Sequence, residues 1–228
     1  MKQKRLLVFT TAAALIILSA ILYCSWPLGF WLNPAASRTG LASELGAVGQ
    51  PWNWLFVWLD IVSGLLLGIG CVLLVGFIRK TRGARLCLAM LALYGVCGAI
   101  DAALPERCVP SLQVCGPVFK DPQLILHGVF DLLGSAALVG TLIAAWLDVR
   151  RYSRMWLPWI YWIGAASTLF AVLSGILYVV NGPGYWAQRY YLTLSCIWVG
   201  SLPFVLAKAD KLSIRKSRRL RRELSRTN

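Results

Sequence analysis

The side chains best placed to do chemistry are His127, Asp131, Asp101 and Asp60, because each is ionisable and each stands in a run of apolar neighbours. An acid or base at the centre of a bilayer costs roughly 2.5 to 3.5 kcal/mol on insertion scales, so such residues are kept for a reason. His127 and Asp131 are spaced i, i+4 and share one face of a helix. His127 is also the chain's only histidine. A neighbouring acid would tune it for general acid–base work. Alternatively, His127, Asp101 and Asp131 are the candidates to ligate a divalent metal ion, since carboxylates and a neutral imidazole suit one. A structural zinc site does not fit a single histidine with no cysteine at its depth. Ser43 and Ser63 are nucleophiles by type, but nothing in their spacing singles either out. The competing reading is a satisfied polar network that only locks helices together.

What must position these residues is a set of membrane-spanning helices. The chain has 228 residues, 58% of them hydrophobic and 14% charged, whereas soluble domains run near 25% charged. Six apolar runs, at about 6–28, 54–78, 86–104, 124–147, 156–180 and 191–207, reach the roughly 20 residues needed to cross about 30 Å of hydrocarbon. The fold class is therefore all-α, a polytopic membrane bundle of six transmembrane helices. At about 1.5 Å per residue, Asp101 and His127 fall roughly 5 Å, and Asp60 and Asp131 roughly 10 Å, below one membrane face.

Charge gives the orientation. Lys2, Lys4 and Arg5 precede the first run; Arg79, Lys80, Arg82 and Arg85 follow the second; Arg150, Arg151 and Arg154 follow the fourth; nine more basic residues follow the sixth. Only Arg38, Arg107, Lys120 and Arg189 fall on the other side. The positive-inside bias then makes both termini cytoplasmic and places the four ionisable residues in the outer leaflet. The first run is read as an uncleaved helix, too long for a secretory signal and without a small-x-small cleavage site. The net charge of +14 belongs to this bias and not to nucleic acid, for the basic tail has no aromatic residue on which a base would stack.

The expected organisation is a single transmembrane domain over 1–207 and a basic cytoplasmic tail over 208–228, attracted to anionic lipid headgroups. Five cysteines, Cys24, Cys71, Cys87, Cys97 and Cys196, read as small buried hydrophobes. Cys108 and Cys115 share an outer loop and are expected to form a disulfide there. In the longest outer loop, 33–53, residues 41–47 are expected to start a short helix capped by Ser43 or Thr39. Trp26, Phe30, Trp31, Trp52, Trp54, Tyr185, Trp186, Tyr190 and Tyr191 read as an interfacial belt. Gly64 and Gly68 form a small-xxx-small pattern, and Gly95, Gly98, Gly134 and Gly140 add small patches, so the second, third and fourth runs should make the tight centre of the bundle.

Several segments together resemble the DUF998 family of prokaryotic six-helix membrane proteins. They are Ser43-Glu44-Leu45-Gly46 with Pro51 and Phe56, Asp101 with Pro105, His127-Gly128, and Gly184-Tyr185-Trp186-Ala187-Gln188-Arg189 with Trp198. The layout is similar to that of the Frag1/DRAM/Sfk1 group, which includes eukaryotic proteins acting on lipid anchors and in membrane trafficking. The resemblance implies a lipid-related role in a multi-pass protein of the prokaryotic cytoplasmic membrane. It also draws in Glu44, and adds Ser43, Gln188 and Arg189 as substrate-binding candidates, the arginine because it can hold a phosphate or pair with an acid.

The functional expectation is an outer-leaflet polar pocket that binds or modifies a lipid, by metal-assisted hydrolysis or acid–base chemistry. Its catalytic candidates are His127, Asp101, Asp131, Asp60 and Glu44. The alternative is a non-enzymatic scaffold or partner subunit whose polar cluster is structural. A small transporter ranks third, because the inner halves of the six runs carry no acid or base.

Overall fold

The computed structural model describes residues 2–78, 81–109, 111–112, 121–149, 158–180 and 185–227. Its elements are α1 (Lys2–Tyr23), a 3-10 turn (Trp26–Leu28), α2 (Gly29–Leu32), α3 (Pro34–Thr39), a second 3-10 turn (Ser43–Gly46), α4 (Asn53–Phe77), α5 (Arg82–Ala102), α6 (Pro122–Val149), α7 (Pro158–Val179) and α8 (Tyr185–Thr227). Five stretches are long and apolar enough to cross a membrane, and α7 carries a shorter apolar stretch over Tyr161–Leu177. The protein is all-helical among the described residues and passes through the membrane several times.

Long helices alternate in direction, so two ends can be told apart. Phe9 near the start of α1 packs on Phe77 at the end of α4, with ring centroids 4.8 Å apart, and edge-on to Phe204 of α8. Tyr23, at the other end of α1, meets Tyr94 of α5. Within the bundle α5 lies between α4 and α6, α1 packs along α4, and α7 pairs with α8. Ile16, Leu74, Leu88, Leu91, Leu202 and Leu206 are fully buried in this core.

Small residues set the tightest crossing. A Cβ added to Gly64 would collide with the carbonyl oxygen of Gly95, so α4 and α5 meet backbone to backbone. Gly68 has open space around it, so the small-xxx-small pattern contributes only its first member. Cys71, Cys87, Cys97 and Cys196 are buried free thiols and Cys24 is a half-buried one. Cys115 lies outside the described residues, and the expected disulfide with it.

The longest loop departs from expectation in a way proline explains. Pro27 lacks the N–H that a helix interior needs and disfavours helix at Trp26, so α1 stops at Tyr23, ahead of the expected 28. Asn33 then caps α3, its side chain accepting from the Ala36 amide at 3.4 Å, with Pro34 in the first turn. The short helix therefore begins at Pro34. Around residue 43 there is only a 3-10 turn, whose cap position is Ala42, with no side-chain hydrogen bond. The tail expected to begin at 208 continues α8 without a break to Thr227.

Candidate functional site

At the end of the bundle where α1 gives way to the short helices, the segment from Gly29 to Ala47 folds over the helix ends as a roof. Consecutive residues of α8 fasten it. Gln188 Oε1 accepts from the Ala42 amide at 2.5 Å. The Arg189 guanidinium donates to the carbonyl oxygens of Ser37 and, at 3.1 Å, of Gly40. It lies among the rings of Trp26, Phe30 and Tyr185 at 5.2 to 5.4 Å, a cation–π cage. On the far side, Ser111 donates to Glu44, and the Val48 amide donates to the Glu106 carbonyl at 2.8 Å. Burial raises the Glu44 carboxyl above the usual glutamate value, and the Ser111 hydroxyl offsets part of that rise.

Beneath the roof is a cavity of about 310 Å³ to which all six long helices contribute, for instance Tyr23, Asp60, Asp101, His127, Ser174 and Tyr191. Volumes of this order hold small molecules or the headgroup end of an amphiphile. A smaller recess of about 20 Å³ continues inward from Tyr23 and Asp60 between α1, α4, α5 and α8.

His127 sits between two carboxylates. Its Nδ1 is 3.0 Å from Asp101 Oδ1 and 3.3 Å from the Asp101 carbonyl oxygen, and its Nε2 is 3.4 Å from Glu106 Oε1. A ring protonated on both nitrogens donates to both acids; a neutral ring donates to one and presents a lone pair to the other. The trio spans the end of α5, the loop after it and α6, so it can act both as a proton-handling group and as a tie between helices. No three His, Cys, Asp or Glu side chains among the described residues are grouped to hold a metal ion.

Over residues 7–205 the sequence matches the family described as protein of unknown function, DUF998. The chain belongs to that family. No curated protein and no solved structure matches it. The segments that carry the DUF998 resemblance, far apart in sequence, meet at one place in the fold. Ser43, Leu45, Gly46, Phe56, Asp101, Pro105, His127, Gly128 and Gln188 all line the cavity.

Of the residues singled out from sequence, Asp60, Asp101, His127, Asp131, Ser43 and Gln188 line this DUF998 cavity, whereas Glu44 and Arg189 do not. Glu44 is buried in the roof and Arg189 is spent on backbone carbonyls. Ser63 is turned away into α1, donating to the Ser19 carbonyl at 2.9 Å. Glu106 was missed. Its only signal was an acid just past Pro105, five residues after Asp101 in a loop with no periodicity to place it. Ser174, inside an apolar run, was also missed, and Tyr191, read from sequence as part of the interfacial belt, lines the cavity instead. Near the opposite end, Asp148 in the last turn of α6 is buried against Gly83 of α5, so an acid does occur there.

Proposed function

We propose that this chain is a six-span protein of a prokaryotic cytoplasmic membrane, with both termini cytoplasmic, whose roofed cavity binds a membrane lipid from the outer leaflet. In this reading His127 and Asp101 perform acid–base chemistry on that lipid, with Glu106 as the second partner of the imidazole. The observation that carries it is the cavity itself, a space shared by all six helices in which the only histidine stands between two carboxylates. Enzymes place titratable groups in such clefts, and an imidazole between acids is a common way to move a proton. α7 would be the sixth span, and the basic residues of the α4–α5 turn and the tail would meet anionic headgroups on the cytoplasmic face. The Cys108–Cys115 bridge belongs to the same outer face, and a non-reducing peptide map should join the two cysteines.

The test is to replace His127 by Asn and Asp101 by Asn singly and analyse the lipids of the cells. A changed lipid profile is expected in both variants. Unchanged lipids, with folded protein at normal abundance, would remove the enzymatic part of the proposal.

A second reading has its own support, because both His127 nitrogens already have protein partners. As a clasp, the trio would secure α5 to α6 in a non-enzymatic scaffold. The same two variants would then melt at lower temperature in detergent while leaving every lipid unchanged.

A further inference from the structure

The carboxylates of the cavity are not all accounted for. Asp101 and Glu106 share His127, but Asp60 and Asp131, which line the same space, have no hydrogen bond or ion pair among the described residues. No lysine or arginine among the described residues lines the cavity, since Arg189 is turned into the roof. Ser174 of α7, only 9% exposed, also faces it with its hydroxyl unpartnered. Tyr23, Trp26, Phe56 and Tyr191 supply aromatic walls.

We infer that the cavity takes a ligand carrying a cationic nitrogen, a protonated amine or an ammonium group, held by Asp60 and Asp131 against these rings with Ser174 beside it. Four carboxylates face one imidazole in a largely protein-lined cavity, where an unpaired anion is costly and an arriving cation is attracted. Aromatic faces present negative charge to a cation and suit the same guest. An exposed phosphate is the wrong guest, for it would meet carboxylates and no fixed cation beyond His127. Inside the lipid reading, on which this inference rests, the substrate class is therefore the amine-headed lipid and the contact is to its nitrogen. A small soluble amine offers the same chemistry from another source.

The experiment uses the full chain reconstituted with equal amounts of phosphatidylethanolamine and phosphatidylglycerol and analysed by native mass spectrometry. Ethanolamine and spermidine are titrated separately by calorimetry in detergent. Phosphatidylethanolamine should be retained at least about tenfold over phosphatidylglycerol. That preference should fall about tenfold or more in Asp60→Asn and Asp131→Asn, which remove charge at nearly constant shape; equal melting temperatures would show that both variants are folded. Binding of the free amines, weakened in the same variants and without retention of either lipid, keeps the cation and overturns the lipid reading. Equal retention of both lipids, lost in Gly98→Leu, which projects a side chain into open cavity space, overturns the cation and keeps the lipid. A preference untouched by either aspartate variant overturns the assignment to this cavity. Binding of neither lipid nor amine overturns both readings.

Discussion

Around Gly70 the backbones of α4 and α1 are so close that an added Cβ would lie 2.7 Å from Ile16 and 3.2 Å from the Ala12 carbonyl oxygen. Roughly three turns along, the same two helices stand apart around Asp60 and Tyr23 and border a cavity. The first region is dry and closed by small residues; the second is propped open and roofed. In a bilayer, helices gain little from hiding apolar surface from one another, so close packing has to come from shape. Where shape fit is given up, as at the cavity, bonds from Gln188 and Arg189 to the roof backbone and from Ser111 to the Glu44 carboxylate hold the end together instead. The comparison separates what keeps the chain folded from what the chain has available for a ligand.

The largest effect should come from breaking the tightest backbone crossing, that of α4 and α5. Gly64→Leu drives a side chain into the Gly95 backbone, which cannot yield as a flexible neighbour would, and should cost about 3 kcal/mol or more. Thermal unfolding in detergent reads this, and a melting point near that of the unsubstituted chain would mean that α4 and α5 do not meet there.

Next is the roof. Arg189→Gln removes the bonds to Ser37 and Gly40 and the aromatic cage, worth together about 2 kcal/mol. Limited proteolysis should then cut between residues 29 and 47 much faster, while the melting of the core moves little. A fall in core melting with no new cleavage would show that roof and core are one cooperative unit.

A smaller effect lies in pH. Glu44 has its carboxyl raised by burial, so the folded protein binds this proton more tightly than the unfolded chain does. The associated stability is fully present below the unfolded glutamate value and is lost as pH rises through the raised folded one. Glu44→Gln should flatten the melting temperature across that window by a fraction of the wild-type slope. An unchanged slope would place the titrating group elsewhere.

The smallest effect sharpens the contrast with Gly64. Gly98 has nothing within 4 Å of an added Cβ, so Gly98→Ala should be neutral or stabilising by up to about 1 kcal/mol through helix propensity alone. Two glycines on adjacent helices would then differ in sign, one against backbone and one facing open space.

Sequence reading was strongest where the membrane itself imposes the rule. Apolar run length located the long helices, and the cost of intramembrane charge picked out Asp60, Asp101, His127 and Asp131, which do share one cavity. It was weakest where partners decide. Gly64 and Gly68 look alike in the sequence, and only the neighbouring helix distinguishes them. Arg189 at a helix end reads equally as a phosphate ligand or as a donor to carbonyls, and the 29–47 loop, which sets the answer, has helices too short for any periodicity. The interfacial belt divided for the same reason. Trp31, Trp52 and Trp54 do face outward, and Phe30 stays exposed while covering Arg189, but Trp26 and Tyr185 are half-buried around that arginine and Tyr191 is buried at the cavity.

Gln188 and Arg189 are neighbours on the first turn of α8, and between them they grip both sides of Gly40 and Leu41. A tether of two adjacent residues behaves mechanically like a crank. Those bonds couple the start of α8 directly to the roof, while among the described residues the loop after α5 is bonded to it at Ser111 and Glu106. A reporter dye attached at exposed Arg38 should therefore respond to movement of α8, some 150 residues away in sequence.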